Sequence, residues 1–364
     1  MTTIPPTFIA DFHSQEDVER MEYRPLGKTG LLVSKLGLGC APLGGVYAST
    51  GLSEPMRIVR ESLKRGVNFI DTAPFYGQGK SEEVLGQALE GIPRSAYYLA
   101  TKVGRYGAMG DFANAFDFRP ERVEVSMEKS LQLLRLDYVD IIQVHDVEYA
   151  DSERLILDQT LPAARRLVER GKARHLGISG YDLHVLKSIV EKSSVPIDTV
   201  LSYSRAALYD QSLADYSDFF QEKGIGVINA AATGMGLLTP QGPQAWHPAS
   251  PSIRQLCQTA VEQADISVTG FDNWAALAQC YGLNFPGVAT TLAGAHSLPV
   301  ALANLDVAQR PYTPTLAQQM DALRLKYFPP ADGETRSRHH WSGLDVANYW
   351  AHVQANVPDS PRFV

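Results

Sequence analysis

Apolar and polar residues along this chain form two kinds of segment that follow one another in order. Short apolar runs rich in β-branched and aromatic residues predict eight strands, at 36–40, 67–72, 97–102, 138–145, 173–179, 198–203, 226–231 and 287–294. Segments with apolar residues about 3.6 positions apart predict helices, at 54–66, 81–91, 120–136, 161–171, 182–192, 212–223 and 297–307. Strands that alternate with helices in this way predict an α/β fold, a parallel (β/α)8 TIM barrel.

The ends of the chain lie outside this alternation. Two short extended runs flank the turn residues 27–30, Gly-Lys-Thr-Gly, and predict a β-hairpin that we expect to close the barrel floor. We divide the chain into a polar N-terminal arm (1–20), a barrel domain (21–327) and a C-terminal tail (328–364). The stretch 313–328 has a helical pattern.

Two connections are long enough to shape a substrate pocket. One follows the third barrel strand at 104–119, and the other follows the seventh at 239–251. Long loops at the carboxyl ends of barrel strands usually border the active site. Both loops carry aromatic residues, namely Tyr106, Phe112, Phe116, Phe118 and Trp246.

Four ionisable residues of different types lie at the ends of predicted strands. Asp71 and Tyr76 follow the second strand, Lys102 ends the third and His145 ends the fourth. A parallel barrel gathers such residues at its carboxyl face. A lysine ammonium favours the phenolate form of a tyrosine and lowers its pKa, and a carboxylate can orient the lysine. With a histidine to hydrogen-bond a substrate oxygen, the set is suited to moving a proton while a hydride moves. The residues therefore predict an oxidoreductase.

Composition and charge exclude several other classes. The chain is 45% hydrophobic and 20% charged, with a net charge of −7 and no basic stripe, which argues against a nucleic-acid partner. No apolar run reaches membrane-spanning length and no signal peptide is evident, so we expect a soluble cytoplasmic protein with no membrane partner. Its scattered cysteines, Cys40, Cys257 and Cys280, are expected to be packed thiols, and the adjacent His339 and His340 to be solvated, so no metal is expected.

Six segments in a fixed order resemble the aldo-keto reductase superfamily, and the resemblance covers about 22–306. They are 26–45, 66–89, 97–107, 135–146, 171–179 and 234–239. Within the superfamily the chain is most similar to L-galactose dehydrogenases and related NAD-linked aldose 1-dehydrogenases. The motifs KVGRYG, FDF-R-ERV, HD after the fourth strand, GVINA and WHPASP carry this closer resemblance.

The resemblance implies a role for each of the four strand-end residues. Tyr76 is the acid/base, Lys102 and Asp71 tune it, and His145 positions the substrate oxygen. The implied activity is oxidation of an aldose, such as L-galactose, D-arabinose or L-fucose, at C1 to the lactone. One alternative is an NADPH-dependent aldehyde or ketone reductase. Another is a non-catalytic cofactor-binding regulatory subunit, against which the intact set of four argues. The sequence does not give the oligomeric state.

The cofactor residues implied by the resemblance depart from the usual pattern. Ser179 and Gly180 stand where Ser-Asn is usual, Ser202 where a glutamine is usual, and Ala230 where an aromatic residue often stacks on the nicotinamide. His296 replaces the arginine that commonly holds the 2′-phosphate of NADP, so NAD is expected, with NADP possible. The other expected contacts are Gly39, Ala231, Gly236, Leu237, Gly294, Ser297 and Asn304.

The glycines after the first barrel strand have two interpretations. Gly39, Gly44 and Gly45 could be turn residues only, or they could let the backbone approach a cofactor closely. The sequence does not decide between these interpretations.

Overall fold

The computed structural model describes residues 4–45, 52–107 and 115–342. Its centre is a closed barrel of eight parallel strands, in the order β10-β3-β4-β5-β6-β7-β8-β9. The predicted (β/α)8 barrel is therefore confirmed. The barrel strands are β3 (Leu36–Gly39), β4 (Phe69–Asp71), β5 (Tyr98–Val103), β6 (Val139–Val144), β7 (Ala173–Gly180), β8 (Thr199–Tyr203), β9 (Gly226–Ala230) and β10 (Thr290–Ala293).

Helices surround the barrel and connect its strands. The α-helices are α1 (Gln15–Arg20), α2 (Ser53–Lys64), α3 (Lys80–Ala88), α4 (Pro120–Leu134), α5 (Glu153–Leu155), α6 (Leu161–Glu169), α7 (Leu183–Lys192), α8 (Ser217–Lys223), α9 (Pro251–Gln263), α10 (Trp274–Leu283), α11 (Leu298–Gln309) and α12 (Pro314–Tyr327). A π-turn spans Ile156–Thr160, and short 3-10 turns span Ala41–Gly44, Arg94–Ala96, Val147–Tyr149, Ser212–Tyr216 and Ser267–Thr269.

Local chemistry explains where these helices begin. The side chain of Asp182 accepts hydrogen bonds from the backbone of His184 and Val185 at the start of α7. Ser250 and Asn273 cap α9 and α10 in the same manner. Such caps satisfy N–H groups that have no partner within the helix. The stretch 313–328, predicted to be helical, contains α12, whereas α9 and α10 were not predicted.

The hairpin predicted before the barrel is confirmed. Strands β1 (Tyr23–Pro25) and β2 (Leu32–Ser34) pair antiparallel around the expected turn. Leu26, Leu31 and Val33 are buried in one apolar cluster with inward-facing residues of the barrel strands, among them Phe69 and Leu292. The hairpin thus fills one end of the barrel, and the carboxyl ends of the strands remain as the place for a site.

The N-terminal arm and the described part of the tail both pack on the barrel. In the arm, Asp17 on α1 forms an ion pair with Arg65 over 3.1 Å. In the tail, the backbone of Ser337 hydrogen-bonds Gln211, and Trp341 is 5% exposed against Tyr181. No helix in the described ranges is both long and apolar enough to span a bilayer.

Candidate active site

Three of the four predicted residues, Asp71, Lys102 and His145, are directed to the mouth of the barrel by the strands that carry them. Side chains of a strand point alternately inward and outward. Phe69 and Ala100 belong to the inward-facing cluster, so Asp71 and Lys102, two residues further along, also face the interior. His145 comes directly after β6, and its backbone N–H bonds the carbonyl of Val103 over 2.8 Å.

Lys102 is the centre of this group. Its ammonium donates to the Asp71 carboxylate, to the Thr72 carbonyl over 2.9 Å and to the Tyr76 hydroxyl over 3.3 Å. The lysine side chain is 1% exposed. A buried cation beside a phenol stabilises the phenolate, because the Coulomb attraction is little screened there.

Gln143 provides a second hydrogen-bond donor to the buried carboxylate of Asp71. Its side-chain amide donates to Asp71 over 2.8 Å, on the oxygen that Lys102 does not contact. Burial raises the pKa of Asp71, and Lys102 and Gln143 both oppose that rise. With two donors on its two oxygens, the carboxylate is fixed and in turn fixes the lysine. Gln143 was not predicted as a site residue.

His145 is held as a neutral side chain. Burial lowers its pKa well below the ordinary value, and the cations of Lys102 and Arg105 lower it further. Its ring lies edge-on to that of Tyr76 with centroids 6.1 Å apart. A neutral imidazole has one N–H to donate, so His145 can hydrogen-bond a substrate oxygen beside the tyrosine.

Gly44 fixes the position of Tyr76. A Cβ at Gly44 would lie 2.5 Å from the carbonyl carbon of Tyr76, which no side chain tolerates. Packing against Tyr76 is therefore enough to require glycine at position 44, whether or not a cofactor also approaches the backbone there. At Gly39 an added Cβ would meet nothing nearer than 3.6 Å, so packing does not require glycine there. Cys40, between them in sequence, is fully buried, and burial raises the pKa of its thiol.

An ion pair that was not predicted borders the same group. Arg105, just after β5, donates to Asp146 over 2.5 Å, and the two side chains are 16% and 5% exposed. The guanidinium lies 3.8 Å from the ring centroid of Phe75, the neighbour of Tyr76. Asp146 adopts a left-handed backbone with φ 53° and lies 3.7 Å from His145 Nε2. Non-glycine residues in this conformation often mark functional sites.

Glu148 explains the unusual glycine at position 180. A Cβ on Gly180 would lie 2.3 Å from the Glu148 carboxylate, so the glutamate fills the volume of the missing side chain. One of its oxygens accepts from the Tyr181 backbone over 2.6 Å. Burial, and then the charge of Asp146, raise the pKa of Glu148 to about 8. Burial thus favours the uncharged carboxylic acid form of Glu148.

Several expected cofactor residues come together where β3 and β10 end. A Cβ on Gly39 would contact the backbone of Gly294, and Asn304 donates to the Gly294 carbonyl over 3.4 Å. His296 is exposed, and Ser297 begins α11 without using its hydroxyl to cap the helix. Polar groups at a helix start beside the last barrel strand are typical of phosphate sites in this fold.

In the loop after β9, the groups available for binding a cofactor belong to the backbone rather than to side chains. Ala231 and Gly236 both have positive φ, 61° and 99°, with two further positive-φ residues between them. Such turns can direct successive N–H groups toward an anion. Leu237 is 2% exposed, and its side chain packs in the core. Ala230 faces the barrel interior. These features fit an extended, anionic dinucleotide lying across the β9 and β10 ends.

The two serines expected near the nicotinamide differ in placement. Ser179 lies beside the site, where its hydroxyl accepts from the Asp146 backbone over 3.1 Å. Ser202 does not face the interior, because Leu201 and Tyr203 on either side of it belong to the inward cluster. It is fully buried on the outer face of β8, and its contact with a cofactor remains a prediction. Phe112 lies outside the described residues.

Sequence comparison identifies the family. The model of the Aldo/keto reductase family matches residues 35–325, most of the barrel. The chain belongs to the aldo/keto reductase family. It is therefore an oxidoreductase of carbonyl and CH–OH groups, and enzymes of this family use NAD(P)H.

Among characterised aldo/keto reductases, the chain is similar to two sugar dehydrogenases. It is 41% identical to L-galactose dehydrogenase of Arabidopsis thaliana over 247 residues, which is 66% of this chain and 75% of that protein. It is 31% identical to D-arabinose 1-dehydrogenase of Saccharomyces cerevisiae over 243 residues, 63% of this chain and 70% of that protein.

A solved aldo/keto reductase has the same architecture. The holo form of an aldo-keto reductase from Bacillus halodurans superposes with a TM-score of 0.70 at 28% sequence identity. The match covers 83% of this chain and 96% of that one. The barrel is thus that of the family.

Proposed function

We propose that this protein oxidises an aldose at C1 to the lactone, with NAD as the hydride acceptor. The observation that carries the proposal is the contact of buried Lys102 with the Tyr76 hydroxyl beside a neutral His145. Similarity to L-galactose dehydrogenase and D-arabinose 1-dehydrogenase supports the substrate class.

The proposed mechanism assigns one task to each residue. Tyr76, as phenolate, accepts the proton of the C1 hydroxyl, and Lys102 stabilises its charge before that transfer. His145 donates a hydrogen bond to the same oxygen and holds it toward Tyr76. Asp71 and Gln143 keep the lysine in place. When bound, the nicotinamide supplies the acceptor for the hydride that leaves C1.

The start of α11 supports NAD rather than NADP. The carboxylate of Glu54, on α2, accepts from the backbone N–H of Leu298 over 2.7 Å. A protein anion thus already occupies part of the positive end of this helix. A 2′-phosphate near His296 and Ser297 would be repelled by it, whereas ribose hydroxyls could donate to it. Arg57 donates to Glu54 over 3.2 Å and offsets only part of that repulsion.

The proposal is tested by turnover of an aldose panel. Purified protein is incubated with L-galactose, D-arabinose, L-fucose and their epimers, with NAD or NADP, and reduced-cofactor absorbance is followed. The same preparation is assayed for reduction of simple aldehydes with NADPH. We expect aldose oxidation with NAD to have the higher catalytic efficiency and the product to be the lactone. Efficient aldehyde reduction without aldose oxidation would instead identify a carbonyl reductase.

A further inference from the structure

The Arg105–Asp146 ion pair carries no proton in the proposed transfer, although it borders the reacting groups. Phe75 connects the two sets, because its ring lies under the guanidinium and is 6.1 Å from the ring of His145. The Asp146 carboxylate lies 3.7 Å from His145 Nε2. A substrate whose reacting oxygen contacts His145 therefore has its neighbouring carbons close to this pair.

The pair is rigidly held. Arg105 starts a narrow ribbon in which the backbone of Tyr106 donates to Ala115 over 2.8 Å. Asp146 is fixed through its backbone N–H, which donates to the Ser179 hydroxyl. Long side chains lose much freedom on being fixed, but here that loss occurs on folding and not on binding.

Stability alone gives little reason for such a pair. A buried ion pair is often no more stabilising than apolar residues of the same size, because both ions lose their hydration. The hydrogen bond to Asp146 is the only one that the Arg105 guanidinium makes within the described residues. A guanidinium carries five N–H groups, so most of its donor capacity is available to a ligand.

We propose that Arg105 and Asp146 form a subsite that binds neighbouring hydroxyl groups of the substrate next to the carbon that reacts. The inference rests on the proposed function, since it concerns the substrate of the same site. A hydroxyl can accept from the guanidinium, and its neighbour can donate to the carboxylate. Because the two charges cancel, the subsite selects neutral polyhydroxylated substrates over sugar acids and over apolar aldehydes.

The test compares a matched pair of small substrates in the reductive direction. Glyceraldehyde carries a hydroxyl on each of the two carbons that follow its aldehyde group, and propanal carries none. The preference for glyceraldehyde, as a ratio of kcat/KM values, is measured for the wild type, Arg105→Met, Arg105→Lys and Asp146→Asn with the same reduced cofactor. Arg119→Met is the control. It removes the ion pair of Arg119 with Asp117, which lies in the same loop after β5, and the Arg119 side chain is 41% exposed.

We expect Arg105→Met and Asp146→Asn to lower the preference about 10- to 100-fold, mainly through KM for glyceraldehyde. Arg105→Lys should lose part of it, because an ammonium lacks the planar fork. Propanal turnover should fall much less than glyceraldehyde turnover in these variants, and both substrates should stay within about twofold of wild type with Arg119→Met. Asn tolerates a left-handed backbone, so Asp146→Asn remains informative if Arg105→Met does not fold.

An equal loss of activity on both substrates would assign the pair a structural role and overturn the proposal, and so would an unchanged preference. The aldose panel on wild-type protein separates this result from the proposed function. Aldose oxidation with an unchanged preference in the variants refutes the subsite alone. A preference that depends on Arg105, without aldose oxidation, refutes the proposed function and supports the subsite.

Discussion

The ammonium of Lys102 donates to the phenolic oxygen of Tyr76 over 3.3 Å, with the lysine side chain 1% exposed. The two groups are in direct contact, so the cation acts on the phenol with less screening than in bulk water. The strength of this coupling sets the pH range in which the tyrosine can serve as a base.

Lys102→Met should shift the pH dependence of oxidation to higher pH. Without the cation, the apparent pKa of the activity profile rises by about 1–3 units, or activity is lost throughout. The measurement is kcat/KM against pH for wild type and variant. Lys80→Met is the control, since Lys80 is exposed and pairs with Glu83. An unchanged profile for Lys102→Met would refute the pairing of the two residues.

Gly44→Ala should lower turnover although the residue contacts no reacting group. Its added Cβ would lie 2.5 Å from the Tyr76 carbonyl carbon, so the turn that carries the tyrosine must move. We expect kcat to fall by about 10- to 100-fold, since small displacements of catalytic groups are costly, with NAD affinity little changed. Gly45→Ala is the comparison, because a Cβ at position 45 meets no described atom. An alanine held at the φ of 79° found there costs about 1 kcal/mol of stability. Equal kcat for Gly44→Ala and wild type would contradict this account of Gly44.

How much of the site the sequence predicts depends on the kind of contact. Asp71, Lys102 and His145 lie at the ends of apolar strands, and parallel strands of a barrel bring such ends together whatever the loops do. The contact of Gln143 with Asp71 joins residues 72 positions apart, and that of Leu298 with Glu54 joins residues 244 apart. Hydrophobic periodicity carries no information on such pairs, because they depend on strand register and on the path of connections.

Strand register also sets the direction of the Ser202 side chain. The faces of a strand alternate at every residue, so an assignment that is off by one position reverses the side-chain direction. Leu201 and Tyr203 face the barrel interior, and the serine between them faces the surrounding helices. The helices α9 and α10 were not predicted from the sequence. Both lie in the long connection between β9 and β10, whereas the prediction assigned one helix to each strand.

Glu82→Gln should stabilise the protein at pH 8 but not at pH 4.5. Burial raises the pKa of Glu82 from 4.5 to about 7, while its side chain accepts from Thr101 over 2.6 Å. Between these pH values the folded state keeps a proton that the unfolded state has lost, so wild-type stability decreases as pH rises through this window. Glutamine does not ionise and can still accept from Thr101.

The gain at pH 8 should be about 1–3 kcal/mol in the free energy of unfolding, measured by urea denaturation at both pH values. Glu83→Gln, at the exposed neighbouring position, should show no such gain. A variant equally or less stable than wild type at pH 8 would mean that Glu82 is not destabilised by burial.

Two substitutions should shift cofactor preference toward NADP. Glu54→Gln removes the anion at the start of α11, and His296→Arg adds a charged donor for the 2′-phosphate. Each should change the ratio of NAD to NADP affinity by about 1–2 kcal/mol. Dissociation constants are measured for both cofactors at pH 8, where histidine is ordinarily neutral. Glu61→Gln, two turns further along α2, is the matched control. Tighter binding of NADP than NAD by the wild type would refute the account of cofactor choice.

Tyr76→Phe tests most directly whether Tyr76 carries the proton. The substitution removes one oxygen, so NAD affinity should be nearly unchanged while turnover falls by about 10²- to 10⁴-fold. Both are measured on the same preparation, turnover with an aldose that the wild type oxidises and affinity by cofactor titration. A variant that keeps more than about a tenth of wild-type turnover, with chemistry still rate-limiting, would show that another group moves the proton.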